Sequence, residues 1–184
     1  MNMKKDITLV LGGASSGKSD VAEKLCFGSD LPRIYIATAQ AFDDEMRAKI
    51  KQHRIDRGAD WTTIEAPFDA AEVLDNCAPD HVVLLDCATL WLTNHLLAEH
   101  DISARTDALL IALSSCASPV VIVSNEVGQG IVPENKLARE FRVAQGRLNR
   151  RLAEHADCVI GVMAGLPFAL KGALPDTLSS GATS

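Results

Sequence analysis

Apolar residues follow two rhythms along this chain. Short runs, Ile7–Leu11, Arg33–Ala37, His81–Asp86, Val120–Ser124 and Cys158–Val162, are apolar at consecutive positions and rich in β-branched residues. Strands buried on both faces read this way. Between them lie longer stretches with polar residues interleaved at helical spacing: Lys18–Cys26, about Asp43–Asp56, Asp69–Asn76, Thr89–Ala98, Ala104–Ser115 and about Pro133–His155. Trp61–Ile64 adds a shorter strand. Strand alternating with helix predicts an α/β fold, a mostly parallel sheet flanked by helices. No repeat or linker interrupts it, so residues 1–173 read as one domain. The remainder, 174–184 (LPDTLSSGATS), is small and polar and reads as a mobile tail.

Composition narrows the functional classes. The 184 residues carry 18 Lys and Arg against 24 Asp and Glu, a net charge of -6. An acidic chain is a poor general nucleic-acid binder. Five cysteines, an odd number with no C-x-x-C pair, indicate neither a zinc site nor a disulfide framework. They read as reduced thiols in a cytoplasmic protein. No apolar run is long enough to span a membrane. The start resembles a signal peptide, with Lys4 and Lys5 before Ile7–Leu11, but the run is short and stops at Gly12-Gly13.

The clearest chemistry follows that first strand. Gly12-Gly13-Ala14-Ser15-Ser16-Gly17-Lys18-Ser19 matches G-x-x-x-x-G-K-[ST], with a strand before it and a helix after it. Glycines let backbone N–H groups turn inward around phosphate oxygens. The helix adds its positive N-terminal end. Lys18 is placed to reach the outer phosphates and Ser19 to ligate Mg²⁺. Asp86, closing an apolar strand, suits the second carboxylate that such enzymes use to hold Mg²⁺; a helix cap is its other possible role. The guanine-reading N-K-x-D string is missing, since Asn135-Lys136-Leu137-Ala138 lacks the Asp.

A second candidate lies in Asp43–Arg57 (DDEMRAKIKQHRIDR). Lys49, His53 and Arg57 are four residues apart and share one face of a helix. A neutral imidazole is a competent nucleophile towards phosphorus, and neighbouring cations hold polyphosphate and keep the ring neutral. On spacing alone a solvated charged face with an incidental His is the favoured reading. His81, His95, His100 and His155 read as surface or cap residues. The long helix bears Lys136, Arg139, Arg142, Arg147, Arg150 and Arg151, opposite a stripe of Leu137, Phe141, Ala144, Leu148 and Leu152. Those bases suit solvent, a phosphate or an adjacent subunit. Glu126, in the loop after Val120–Ser124, lines a ligand cleft or closes a turn. The residues alone reach a small P-loop nucleotide enzyme of unknown base; another small-molecule P-loop kinase and a regulatory P-loop nucleotide-binding protein stay open as alternatives.

Taken together, the motifs resemble the bifunctional adenosylcobinamide kinase / adenosylcobinamide-phosphate guanylyltransferase family of cobalamin biosynthesis. The likeness spans about Ile7 to Leu170. It rests on GGASSGKS at Gly12–Ser19, YIATAQAFDDEM at Tyr35–Met46 and I-x-x-H-R-x-x-R at Ile50–Arg57. LLDCATLWLTN at Leu84–Asn94 and NEVGQGIVPENKLAREFR at Asn125–Arg142 extend it. The resemblance implies a P-loop, RecA-like NTPase fold. It implies phosphorylation of adenosylcobinamide by ATP or GTP. Transfer of GMP from GTP to the product follows, through a guanylyl-histidine, giving adenosylcobinamide-GDP and pyrophosphate. The matching histidine is His53; position 52, His in some relatives, is Gln here. The implied nucleotide contacts are Gly12–Ser19, that is Gly12, Gly13, Ala14, Ser15, Ser16, Gly17, Lys18 and Ser19, then Ala37, Thr38 and Ala39, Arg54, Ile55, Asp56 and Arg57, Glu65 and Asp86. Some relatives carry Glu at position 86. Mg²⁺ and a homo-oligomer are implied as well.

Overall fold

The computed structural model describes residues 6–40 and 58–179. The helix expected over 43–56 therefore lies outside the described residues. In chain order the elements are β1 (Ile7–Gly12), α1 (Lys18–Phe27), β2 (Arg33–Ala37), a 3₁₀ turn at Gly58–Asp60, β3 (Trp61–Glu65), α2 (Ala70–Asp75) and β4 (Val82–Asp86). They continue with α3 (Ala88–Leu97), α4 (Ile102–Ser115), β5 (Val120–Asn125), α5 (Lys136–His155), β6 (Cys158–Met163), β7 (Leu166–Lys171) and α6 (Asp176–Ser179).

The strands form one sheet in the order β3-β2-β4-β5-β1-β6-β7. All neighbours are parallel except β6 and β7. Alternate residues of each strand serve opposite faces. Leu9, Ile34, Ile36, Val83, Leu85 and Ile122 meet α2, α3, α4 and α5, around the fully buried Trp91. Val10, Tyr35, Val82, Leu84, Val121 and Val123 meet α1 through Val21, Ala22 and Cys26. The doubly apolar runs follow from a sheet covered on both sides.

Helix starts fall where side chains satisfy free backbone N–H groups. Asp101 accepts from Ala104 N at 3.1 Å, so α4 begins two residues before the expected Ala104. Asn135 accepts from Ala138 N at 3.1 Å, so α5 begins at Lys136 rather than Pro133. Leu137, placed by its spacing on the apolar stripe, is exposed, while Leu148 and Leu152 are buried.

Two features at the end of the chain differ from expectation. Cys158–Val162 is not the last strand, because β7 folds back antiparallel along the sheet edge. Its Pro167 is tolerated there as nowhere else in a sheet. The segment from Leu174, expected to be a tail, carries α6, and Leu174 and Leu178 pack against the cluster under α1.

Candidate active site

The carboxyl ends of the parallel strands share one edge, where ligands of α/β sheets bind. Register fixes the neighbours: Ala37 lies opposite both Glu65 and Asp86, and Gly12 opposite both Asn125 and Val162. The structure thus brings Gly12–Ser19, Ala37–Ala39, Glu65 and Asp86 to one edge. His53, Arg54, Ile55, Asp56 and Arg57 lie outside the described residues.

The loop from Gly13 to Gly17 has the backbone form expected of a phosphate-binding turn. A Cβ at Gly12 would stand 2.3 Å from Ser16 Oγ and 2.8 Å from Val162 O. Gly17 has φ 88° at the start of α1, in the left-handed region that glycine favours. Ser16 N donates to Gly13 O at 3.3 Å, and Gly165 N donates to Ser16 O at 2.8 Å, so the β6–β7 turn clamps the loop. Lys18 Nζ donates to Gly13 O at 3.1 Å, which holds the ammonium over the loop. Ser15 to Asp20 line a cradle of about 300 Å³ at the positive end of α1.

Asp86 stands at the mouth of this edge, and the hydroxyl of Tyr35 donates to its Oδ2 at 2.6 Å. That bond anchors one carboxylate oxygen. Next to it, Cys87 is buried and its thiol pKa is pushed up to about 11. Burial is the main cause, followed by the Asp86 charge, with Lys18 acting in the opposite direction. Cys87 is a neutral wall here and not a nucleophile.

Thr38 presents no side chain to a ligand. It is fully buried, and its hydroxyl accepts from Cys87 N and donates to Cys87 O, both at 2.8 Å. Asn94 Nδ2 donates to Thr38 O at 2.8 Å and to Pro67 O at 2.9 Å. This buried set locks the ends of β2 and β4 together and so positions Asp86. Glu65 is exposed at the end of β3.

Several residues of this edge escape sequence reasoning. Ser124 Oγ donates to Asn149 Oδ1 at 2.7 Å and accepts from Gln145 Nε2 at 2.9 Å. Asn149 Nδ2 reaches Asn125 O at 3.0 Å. The signal was present as Gln145 and Asn149 at i, i+4 beside the buried Leu148 and Leu152. The loop after β5 is held by bases of α5: Arg142 donates to Gly128 O, and Arg139 to Pro133 O and Glu134 O. Glu126 accepts from Gly128 N within the loop. His95, expected at the surface, is fully buried, with Nδ1 at 2.8 Å from His100 Nδ1 and Nε2 at 3.2 Å from Phe68 O.

Residues 8–170 match the family described as cobinamide kinase / cobinamide phosphate guanyltransferase. The chain belongs to that family. Among its relatives, the bifunctional adenosylcobalamin biosynthesis protein CobP of Pseudomonas aeruginosa is 44% identical over 167 residues, covering 89% of this chain and 96% of its own. CobU of Salmonella typhimurium, with the same description, is 44% identical over 181 residues, covering 89% and 98%. CobU of Escherichia coli is 41% identical over 179 residues, again covering 89% and 98%. Solved structures share the fold alone. One from Pyrococcus horikoshii OT3 has TM-score 0.54 at 11% identity, covering 95% of this chain and 89% of its own. The RadB recombinase has TM-score 0.51 at 15% identity, covering 85% and 74%. Family membership makes this chain a bifunctional enzyme, a cobinamide kinase and a cobinamide-phosphate guanylyltransferase. It displaces the readings as another small-molecule kinase or a regulatory nucleotide-binding protein.

Proposed function

We propose that one P-loop serves both transfers and that His53 carries the guanylyl group between them. In the first reaction the hydroxyl oxygen of adenosylcobinamide bonds to the γ-phosphorus of ATP or GTP. The bond to the β-phosphate oxygen breaks, a nucleoside diphosphate leaves and the hydroxyl proton is released. In the second, a ring nitrogen of His53 bonds to the α-phosphorus of GTP and pyrophosphate leaves. A phosphate oxygen of adenosylcobinamide phosphate then takes the GMP, and the histidine is regenerated.

The supporting observation is a cradle of backbone N–H groups, helix N-terminus and Lys18, at the same sheet edge as a Tyr35-anchored carboxylate at Asp86. Negative charge gathers on the diphosphate or pyrophosphate that leaves, and fixed positive groups favour that state over the ground state. Ser19 and Asp86 offer a hydroxyl and a carboxylate, hard oxygen donors that suit Mg²⁺ together with nucleotide phosphates. Bound there, Mg²⁺ would neutralise charge on the phosphate chain. Arg54 and Arg57 follow His53 in sequence and supply further cations for the pyrophosphate.

GTP labelled at the α-phosphate tests this reading. Wild-type protein should retain the label as an acid-labile, alkali-stable adduct that cobinamide phosphate discharges, while γ-label should leave none. An adduct that persists in His53→Ala would place the nucleophile elsewhere.

We extend the proposal to a cytoplasmic homo-oligomer whose large corrinoid substrate binds near a subunit boundary. Ile131, Val132, Leu97 and Leu137 are exposed apolar residues, and Leu97 and Leu137 line an apolar groove of about 360 Å³ between α3 and α5. Surfaces of this kind mark association sites. Sedimentation at micromolar concentration should show an oligomer; a fully active monomer would end this part of the proposal. Among the described residues no helix is long and apolar enough to cross a membrane.

A further inference from the structure

On the flank of the P-loop away from Asp86 lies a cleft of about 600 Å³. One wall is loop backbone from Gly12 to Ser16, and the other is the β6–β7 hairpin, with Val162, Met163 and Phe168. Two details mark it as a built site. The tip of the Phe168 ring packs on Gly161, where a Cβ would stand 2.4 Å from its Cζ, so the glycine is what admits the ring. The ring is still 43% exposed where it lines the cleft. Ser16 is only 9% exposed, yet its Oγ has no hydrogen-bond partner among the described residues. Ser16 borders both this cleft and the phosphate cradle. A buried hydroxyl without a partner is costly, and a rotation of the side chain away from Gly12 towards a polar ligand atom in the cleft would relieve it.

An anion cradle, an unpaired hydroxyl and an aromatic slot follow one another along this cleft. That is the polarity of a nucleoside triphosphate: charged chain, ribose, flat base. We propose that the cleft seats the ribose and base of the nucleotide donor in the kinase step, with Phe168 as the stacking platform. The inference rests on the two-transfer reading and explains how one P-loop serves both reactions. When the γ-phosphate is transferred, it must lie towards Lys18 and Asp86, and the base trails to the opposite flank. When the α-phosphate is attacked, the outer phosphates become the leaving group and the nucleoside lies at the other end. The two reactions therefore seat the nucleoside on opposite flanks of the same loop, the β6–β7 flank for phosphoryl transfer and the β2–β4 flank for guanylyl transfer. A corrinoid does not compete for this cleft, because its volume is that of a drug-sized ligand.

Calorimetry with ATP and with inorganic tripolyphosphate tests the seat without turnover. Wild-type protein should bind ATP about tenfold more tightly than tripolyphosphate, the size of one base–aromatic stack. Phe168→Ala should remove that difference and leave tripolyphosphate affinity unchanged, and Phe168→Tyr should restore it. In turnover, Phe168→Ala should raise the KM for ATP in cobinamide phosphorylation about tenfold with kcat held. The KM for GTP in guanylyl transfer to preformed cobinamide phosphate should not move. Equal weakening of tripolyphosphate would show that Phe168 only supports the loop, and a parallel rise in both KM values would show a single nucleoside seat. No change in any of them would remove the base from this cleft. Each of these outcomes in a protein that still performs both transfers overturns the second seat alone. A wild-type protein that performs neither transfer overturns the functional reading, with the calorimetry still readable.

Discussion

Two polar regions meet at the same edge of the sheet and behave in opposite ways. Around Thr38, Asn94 and Cys87, and again around Ser124, Gln145 and Asn149, polar groups bond to one another and are sealed from water, although Gln145 Oε1 has no partner among the described residues. In the P-loop, Ser16 Oγ is left without a partner among the described residues, and Lys18 rests on the carbonyl of its own loop. Closed networks hold the scaffold; open groups wait for a ligand. A change in a closed network should therefore cost stability, and a change in the open loop should cost turnover.

The largest expected effect is on the open side. Lys18→Ala should lower cobinamide phosphorylation by at least about 10²–10³-fold, the usual cost of removing one fixed group that stabilises transition-state charge. The urea midpoint should stay near wild type, because Lys18 makes only one part-buried hydrogen bond among the described residues. Wild-type turnover in the folded variant would contradict the P-loop assignment.

The closed side should show the reverse. Asn94→Leu leaves Thr38 O and Pro67 O unbonded in the interior and should destabilise by about 2–4 kcal/mol. Its kcat per folded molecule should fall far less than that of Lys18→Ala. Ser124→Ala removes one donor and one acceptor from the second network and should cost about 1–2 kcal/mol by the same denaturation measurement.

The smallest effect is a pH dependence. Burial lowers the pKa of His95, assisted by the neighbouring His100 and Arg105 and opposed by its bond to Phe68 O. The unfolded chain then binds a proton more readily than the folded one. This contribution to stability is complete above the ordinary histidine value of about 6.5 and is lost as pH falls below it towards the folded pKa. Denaturation midpoints should drop between pH 7.5 and 5.5, and the drop should be smaller in His95→Phe. An equal drop in that variant would move the effect to another group.

The same contrast explains how much was legible beforehand. The P-loop and Asp86 were legible because their chemistry is local: a short string between a strand and a helix, and a carboxylate ending an apolar run. The strands were legible because a doubly covered sheet demands doubly apolar runs. The closed networks were not. Tyr35 meets Asp86 across 51 residues and Asn94 meets Thr38 across 56, and periodicity carries no trace of such pairs. The strand β7 was missed because Leu166, Phe168 and Leu170 are apolar without being buried, and Pro167 argues against a strand anywhere but an edge. His95 was misplaced because a single polar residue in a helix reads as surface unless its partners are known. Here they are the Phe68 carbonyl and His100, from the bend after β3 and the loop after α3.

The central claim is that one phosphate site supports two transfers and only the second needs His53. Product formation from cobinamide in His53→Ala, with GTP labelled at the γ-phosphate in one sample and at the α-phosphate in another, tests it most directly. The account predicts γ-label on cobinamide phosphate at near wild-type yield and no α-label on any cobinamide product. Appearance of α-labelled cobinamide-GDP in this variant would contradict it, and so would loss of both labels from a folded protein that still binds GTP.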